Sequence, residues 1–265
     1  MPRLDPQGAH VVVTGASRGI GRALALEFGA RGSFVTLVAR SADPIAEVAD
    51  AIGGRACAAD LGVPDVVEQL LGRIEADADR PVDVLVNNAG VNVVARCAEQ
   101  DHDDIRRIFE LNVVVPAQLT GQALPGMLAR GRGAIANIGS LAGITAFPTL
   151  GAYGASKAAL AQYTATLQRE LRGAPVTATM VQLGEVAGTE MMEESRRSPT
   201  IAAVAARLDR VRALPRQSPE AVAARLVDAV ARGARTLVLP VRVAGFHAVR
   251  EFPSRLNDLL LRGID

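Results

Sequence analysis

Tyr153 and Lys157, in the run Tyr153-Gly154-Ala155-Ser156-Lys157, are the side chains of this 265-residue sequence best suited to moving a proton. Their surroundings read as helix, and positions i and i+4 of a helix share one face. An unperturbed phenol has a pKa of about 10, so a tyrosine acting as a base near neutrality needs a shift of roughly three units, or about 4 kcal/mol. An ammonium ~4.5 Å from the phenolate supplies about 3–4 kcal/mol at an effective dielectric of about 20. The magnitudes match, so the pair is able to do general acid–base work. Lys157 is also the chain's only lysine, every other basic side chain being arginine. A position that keeps lysine against such a bias points to a need for a compact ammonium rather than a planar fork.

Taken alone, Tyr-x-x-x-Lys reads as a pair on a helix surface. Its company changes that. Asn137-Ile138-Gly139-Ser140 closes an apolar strand, and open α/β sheets bind ligands at the C-terminal ends of their strands. The Ser140 hydroxyl is able to hydrogen-bond a reacting carbonyl oxygen there. Asn87-Asn88-Ala89-Gly90 closes another strand, and Asn112 is a polar residue inside an apolar helical stretch, Glu110-Leu111-Asn112-Val113. A buried amide needs partners; the competing reading of Asn112 is a satisfied residue at a helix bend.

A second chemistry sits near the start of the chain, in Thr14-Gly15-Ala16-Ser17-Arg18-Gly19-Ile20-Gly21. Glycines after a strand let the backbone turn tightly against a pyrophosphate, and the following helix offers its N-terminal amides and positive dipole end. The plainer reading is a tight strand-to-helix turn, but the strand–turn–helix context favours a dinucleotide site of Gly15, Ser17, Arg18, Gly19, Ile20 and Gly21. Sites for NAD usually carry a carboxylate at the end of the second strand. Here that strand ends in Ala39-Arg40-Ser41. A carboxylate would repel a 2′-phosphate, whereas arginine clamps one bidentately. Arg40 with Ser41, and Arg18 as a second clamp, favour NADP(H); Asp43 nearby keeps NAD(H) as the minority choice.

The elements that must hold these residues alternate along the chain. Apolar, β-branched-rich runs at 10–14, 34–39, 55–59, 82–87, 133–138, 176–183 and 236–240 are mostly continuous rather than alternating. Strands buried on both faces of a parallel sheet look like this. Segments 21–31, 63–78, 103–130 and 153–172 read as helices. The alternation predicts a doubly wound, mostly parallel α/β sheet of about seven strands, Rossmann-like, with helices on both faces. Residues 1–265 are read as one domain, with 188–218 as a substrate flap and 241–265 as a helical extension. In that extension Val249, Phe252, Leu256, Leu259 and Leu260 recur near helical spacing.

Composition excludes other classes. With 29 basic and 28 acidic side chains the formal charge is +1, which gives no reason to expect nucleic acid or an anionic membrane. Cys57 and Cys97 cannot supply a disulfide scaffold, and no Cys/His cluster suggests a metal. The start of the chain lacks a signal-peptide core, and no run of about 18 apolar residues is present. The expectation is a soluble cytoplasmic protein.

Together the motifs resemble the compact, single-domain branch of the short-chain dehydrogenase/reductases. The residues that carry the resemblance are Thr14-Gly15-x-x-x-Gly19-x-Gly21, Asp60-Leu61, Asn87-Asn88-Ala89-Gly90, Asn112, Ser140 and Tyr153-x-x-x-Lys157. It spans roughly residues 8–183. The resemblance implies an oxidoreductase in which Tyr153 is proton donor in reduction and base in oxidation. It further implies that Lys157 lowers the tyrosine pKa and binds the nicotinamide ribose, and that Ser140 orients the substrate oxygen. Asn112 would hold a water that relays protons from Lys157, Asp60 and Leu61 would lie at the adenine, and Asn88, Ala89 and Gly90 would line the adenosine side.

Two departures stand out. Where the family reads Pro-Gly-x-(Val/Ile)-x-Thr, this chain reads Leu183-Gly184-Glu185-Val186-Ala187-Gly188-Thr189. Val186 is still expected at the nicotinamide carboxamide; leucine replaces the proline, and the threonine, Thr189, is displaced by one position. Glu185 reads first as an exposed loop acid, with contact to substrate or a cation as the sharper alternative. The chain also continues about 25 residues past its last strand, so a homodimer through the helices after Leu111 and Tyr153 is expected, with a tetramer as the alternative. Ile144, Phe147, Leu150, Met191 and Met192 are expected to make the pocket apolar, which suggests a lipophilic ketone or secondary alcohol. The other functions weighed are a catalytically silent dinucleotide-binding regulator, an NAD-dependent dehydrogenase, and an epimerase, dehydratase or lyase of the same fold.

Overall fold

The computed structural model describes residues 4–210 and 215–243. Seven strands form one parallel sheet in the order β3-β2-β1-β4-β5-β6-β7. They are β1 (His10–Thr14), β2 (Phe34–Ala39), β3 (Arg55–Ala58), β4 (Val84–Asn87), β5 (Gly133–Ser140), β6 (Val176–Leu183) and β7 (Thr236–Leu239). The helices between them are α1 (Gly19–Ala30), α2 (Ala42–Ile52), α3 (Pro64–Ala78), α4 (His102–Phe109), α5 (Val115–Arg130), α6 (Gly151–Glu170), α7 (Glu190–Arg196), α8 (Pro199–Arg210) and α9 (Pro219–Ala231).

Continuous apolar strands are buried on both faces because successive side chains point to opposite sides. Val11 and Val13 of β1 join Leu24 and Phe28 of α1, Ile45 and Val48 of α2, and Leu226 and Val230 of α9 in one core. Val12, between them, faces a second core built on Leu70 and Ile74 of α3, Leu119 and Met127 of α5, and Leu167 of α6. The same alternation runs through β4, where Val84 and Val86 face the first core and Leu85 the second.

Strand order runs outward from β1 to β3 on one side and from β4 to β7 on the other. That reversal opens a crevice at the C-terminal strand ends, the place where such sheets bind ligands.

Several sequence expectations shift in detail. Strand β5 runs two residues past the expected end, so Ser140 is still in register with Leu183 of β6. The segment 103–130 is not one helix. Glu110–Val114 forms a π-helical turn between α4 and α5, and such widened turns frequently mark functional sites. Pro116 contributes, because it lacks the N–H that an α-helix would direct at the Asn112 carbonyl. Segment 188–218 carries α7 and α8, with 211–214 outside the described residues. The apolar positions noted at 249–260 also lie outside them.

Among the described residues, no helix is long and apolar enough to cross a membrane. No group of three His, Cys, Asp or Glu side chains gathers there as metal ligands would.

Candidate active site

The glycine loop after β1 is built by close approach. A Cβ on Gly21 would lie 2.1 Å from the Gly15 carbonyl oxygen, and one on Gly15 would lie 2.9 Å from the Ala89 Cα. Gly15 also has φ +66°, and Gly19 has φ +53°, conformations that glycine adopts without strain. The first turn of α1 carries no acidic residue, so its N-terminal amides face the crevice without a competing anion. Asn88 locks the loop from the next strand: its Nδ2 donates to the Thr14 carbonyl at 2.9 Å and to the Gly15 carbonyl at 3.2 Å. Thr14 Oγ1 in turn accepts the backbone N–H groups of Asn88 and Ala89, each at 3.0 Å.

One cavity of about 430 Å³ runs along the strand ends. Its dinucleotide end is lined by Gly15, Ser17, Arg18, Gly19, Ile20, Gly21, Arg40, Ser41, Asp60, Leu61, Asn88, Ala89 and Gly90, so every cofactor residue expected there borders one space. Arg40 is exposed just past β2, while Arg18 pairs with Glu190 at the start of α7. Asp60 Oδ1 accepts the Gly62 N–H at 2.9 Å, shaping the turn after β3. These residues fit a dinucleotide: two guanidiniums, a helix N-terminus and a glycine cradle face one groove.

At the other end the cavity is lined by Ser140, Tyr153, Lys157 and Val186. The Ser140 hydroxyl hydrogen-bonds the Tyr153 phenol oxygen and also accepts the Ala142 N–H at 3.1 Å. Lys157 Nζ donates to the Ile138 carbonyl at 2.9 Å and lies 5.8 Å from the centre of the Tyr153 ring. Asn112 is fully buried. Its Oδ1 accepts the Val91 N–H at 2.9 Å, and its Nδ2 donates to the Val91 carbonyl and to Ser156 Oγ, each at 3.0 Å. Ser156 then donates to the Tyr153 carbonyl at 2.7 Å. The Asn112 side chain therefore ties the loop after β4 to the Tyr153 turn of α6.

The electrostatics correct one expectation. The sequence predicts a phenol made acidic by the ammonium; the structure holds the Tyr153 pKa above its ordinary value. Loss of water around the phenol is the main cause, and the hydrogen bond from Ser140 offsets part of it. Burial also lowers Lys157, to about 8. Both groups are enclosed, so each disfavours its own charged form. Treating the pair as charges in a uniform medium omits that penalty.

The remaining walls are mostly apolar. Phe147, Leu150, Met191 and Met192 line the cavity as expected, but Ile144 does not. Helix α8 adds Ile201, Val204, Ala205 and Leu208 at helical spacing. Glu185 is not an exposed loop acid: its side chain is 16% exposed and pairs with Arg196 at 2.5 Å and Arg216 at 3.2 Å. Thr189 Oγ1 donates to the Val186 carbonyl at 3.0 Å, so the displaced threonine still braces the cofactor-side loop.

Sequence reasoning missed two glycines that set the site. A Cβ on Gly143 would lie 2.7 Å from the Lys157 carbonyl carbon, and one on Gly154 would lie 2.8 Å from the Ala142 carbonyl oxygen. They let the 3₁₀ turn Leu141–Gly143 dock on α6, which brings Ser140 to Tyr153. Gly154 lies inside the Tyr-x-x-x-Lys run, but nothing in a linear sequence marks Gly143 as its partner.

The model of the short chain dehydrogenase family matches residues 9–200. The chain is 36% identical over 203 residues to the ketoacyl reductase HetN of Nostoc sp., covering 74% of this chain and 70% of that protein. It is 34% identical over 210 residues to the 3-oxoacyl-[acyl-carrier-protein] reductase FabG of Vibrio cholerae, covering 77% and 84%. It is also 34% identical over 183 residues to the NADP-dependent 3-hydroxy acid dehydrogenase YdfG of Salmonella typhi, covering 68% and 73%. Among solved structures, a short-chain dehydrogenase from Streptomyces avermitilis superposes with TM-score 0.78 at 29% identity, covering 97% of this chain and 98% of that one. A Beutenbergia cavernae protein with NADP bound at low occupancy superposes with TM-score 0.77 at 31% identity, covering 88% and 95%.

Proposed function

The chain belongs to the short-chain dehydrogenase/reductase family, and on that premise we propose that it is an NADP(H)-dependent oxidoreductase. It interconverts a lipophilic ketone or aldehyde with its alcohol, with Tyr153 as acid and base. The observation that carries this reading is the Ser140–Tyr153 hydrogen bond with Lys157 buried behind it, in the same cavity as the glycine loop.

The nicotinamide supplies the hydride when it is bound. The chain's own residues handle the oxygen. Ser140 holds a carbonyl oxygen by hydrogen bond. Burial keeps the Tyr153 hydroxyl protonated, ready to give its proton to that oxygen in reduction; in oxidation it takes the proton back. Lys157 stabilises the phenolate left behind. At the observed 5.8 Å from the ring centre, one positive charge contributes about 3 kcal/mol at an effective dielectric of about 20. Gly90 lets the chain pass close to this pair: a Cβ there would lie 2.7 Å from Asn112 Oδ1 and 3.5 Å from Lys157 Nζ.

NADP(H) over NAD(H) is supported by Arg18 and Arg40 at the adenosine end and by the absence of a carboxylate at the end of β2. A lipophilic, uncharged substrate is supported by the lining. Its only cations among the described residues are Arg18, Arg40 and Lys157, all assigned to cofactor or catalysis. A free carboxylate on the substrate would meet no counter-charge. The unpaired thiols of Cys57 and Cys97 suit a cytoplasmic setting, and exposed Val114 and Leu128 on the α5 side suit a homodimer.

The test is NADPH oxidation followed by absorbance against a panel of neutral ketones and keto acids. Turnover of neutral ketones is expected. Tyr153→Phe is expected to abolish it while NADPH binding persists; a variant that still turned over would remove Tyr153 from the acid–base role.

A further inference from the structure

One carboxylate, Glu185, receives a guanidinium from each side of α8. Arg196 closes α7, just before α8, and Arg216 lies six residues after α8 ends. Both reach the same oxygen, Oε1, at 2.5 Å and 3.2 Å. The backbone repeats the connection, with the Gln217 N–H donating to the Glu185 carbonyl at 3.2 Å and the Ala187 N–H to the Gln217 carbonyl at 2.9 Å. Between these anchors, Ile201, Val204, Ala205 and Leu208 form a wall of the cavity.

Two further contacts hold the start of this segment. Asn92 Nδ2 donates to Ser195 Oγ at 3.1 Å, and Arg18 pairs with Glu190. The Arg18–Glu190 pair is 65% and 61% exposed, so water screens it and it holds weakly. Glu185 is 16% exposed against 30% for Arg196, so that pair is less screened than Arg18–Glu190, while the Arg216 arm, at 43%, is nearer to water. Removing that charge would leave two guanidiniums facing one another without their shared anion.

We propose that Glu185 is a positioning residue for substrate: it pins both ends of the α8 segment and so closes the apolar wall over the substrate end of the cavity. Glu185 borders the cavity, and its Oε1 is committed to both arginines, so the role assigned to it is to hold the wall. The kinetic part of the inference rests on the reductase reading; the structural part does not.

The test is Glu185→Gln, which keeps shape and removes charge. Amide hydrogen exchange should speed up selectively in residues 190–208 while β4 and β5 stay protected. With the best ketone, KM should rise about tenfold or more with kcat changed less, because a loosened wall removes uniform binding. The NADPH Kd should change less than KM, since the glycine loop and Arg40 lie outside this segment and only the screened Arg18–Glu190 pair links it to them. If the variant does not fold, Arg216→Gln removes one arm alone and should give the same selective exchange at smaller size. Unchanged exchange in 190–208, or a fall in kcat with KM unchanged, would overturn the latch. Were no ketone turned over by the wild type, the reductase reading would fail while the exchange experiment still decided the latch.

Discussion

Gly143→Ala tests whether backbone docking places Ser140. The added Cβ would lie 2.7 Å from the Lys157 carbonyl carbon and 2.8 Å from the Ala158 nitrogen. Optimal carbon contacts are about 3.5–4.0 Å, so the turn and α6 must separate by roughly 0.8 Å or more. Both opposing atoms are backbone, so no flexible side chain is available to yield. The turn begins at Leu141, and its Ala142 N–H is bonded to Ser140 Oγ, so the displacement passes to the hydroxyl that meets Tyr153. A misplacement of about 1 Å costs on the order of 10²-fold in rate, or about 2.7 kcal/mol of transition-state stabilisation. Steady-state kcat for the best ketone reads the effect, with NADPH binding by fluorescence as the control expected to hold. Gly121→Ala is the matched substitution: its Cβ meets nothing within 4 Å, and helix propensity should stabilise it by about 0.5–1 kcal/mol without changing kcat. A kcat for Gly143→Ala within about twofold of the Gly121→Ala value would refute the docking argument.

Other outcomes follow from the same geometry. Arg40→Asp should weaken NADPH binding and shift preference towards NADH, by about tenfold or more for loss of a charge-assisted clamp; unchanged NADPH affinity in titration would remove Arg40 from phosphate binding. Lys157 is buried, and its folded pKa of about 8 lies below its ordinary 10.5. The unfolded chain therefore holds more protons between those values, and stability climbs as pH rises through that window. Lys157→Met should thus be inactive yet more stable near neutrality, by up to about 3 kcal/mol less the lost bond to Ile138. Denaturant melts should show that gap closing towards high pH; a gap independent of pH would contradict the assignment. His10 is also buried, with its pKa lowered below 6.5 by loss of water, and its ring meets Thr36 Oγ1 at 2.9 Å. The unfolded chain binds the proton first, so stability should fall as pH drops below about 6.5. His10→Gln should flatten that acid limb in urea titrations, and an unchanged slope would exclude His10 as its source.

Much of the site was legible because it lies in local sequence. The strands declared themselves as short β-branched runs, since burial on both faces tolerates nothing else. The glycine loop and the Tyr153–Lys157 spacing are contained in a few consecutive residues. Arg40 stands just past a strand end, and the structure places it on the cavity lining. What failed was long-range. The π turn at Asn112 reflects contacts with Val91 and Ser156, residues at quite different places in the chain. Ile144 and Glu185 were misjudged for the same reason: whether a loop side chain faces a cavity or two arginines depends on where other segments return.

By itself the sequence determined which chemical groups are available and the order of elements that carries them to one edge of the sheet, because periodicity and turn residues act locally. Only the tertiary structure decided how those groups are charged and aligned. Burial lifted the Tyr153 pKa and lowered that of Lys157, and two glycines on different elements brought Ser140 against α6. Solvation and close packing are properties of the assembled molecule, summed over neighbours that no short stretch of chain contains.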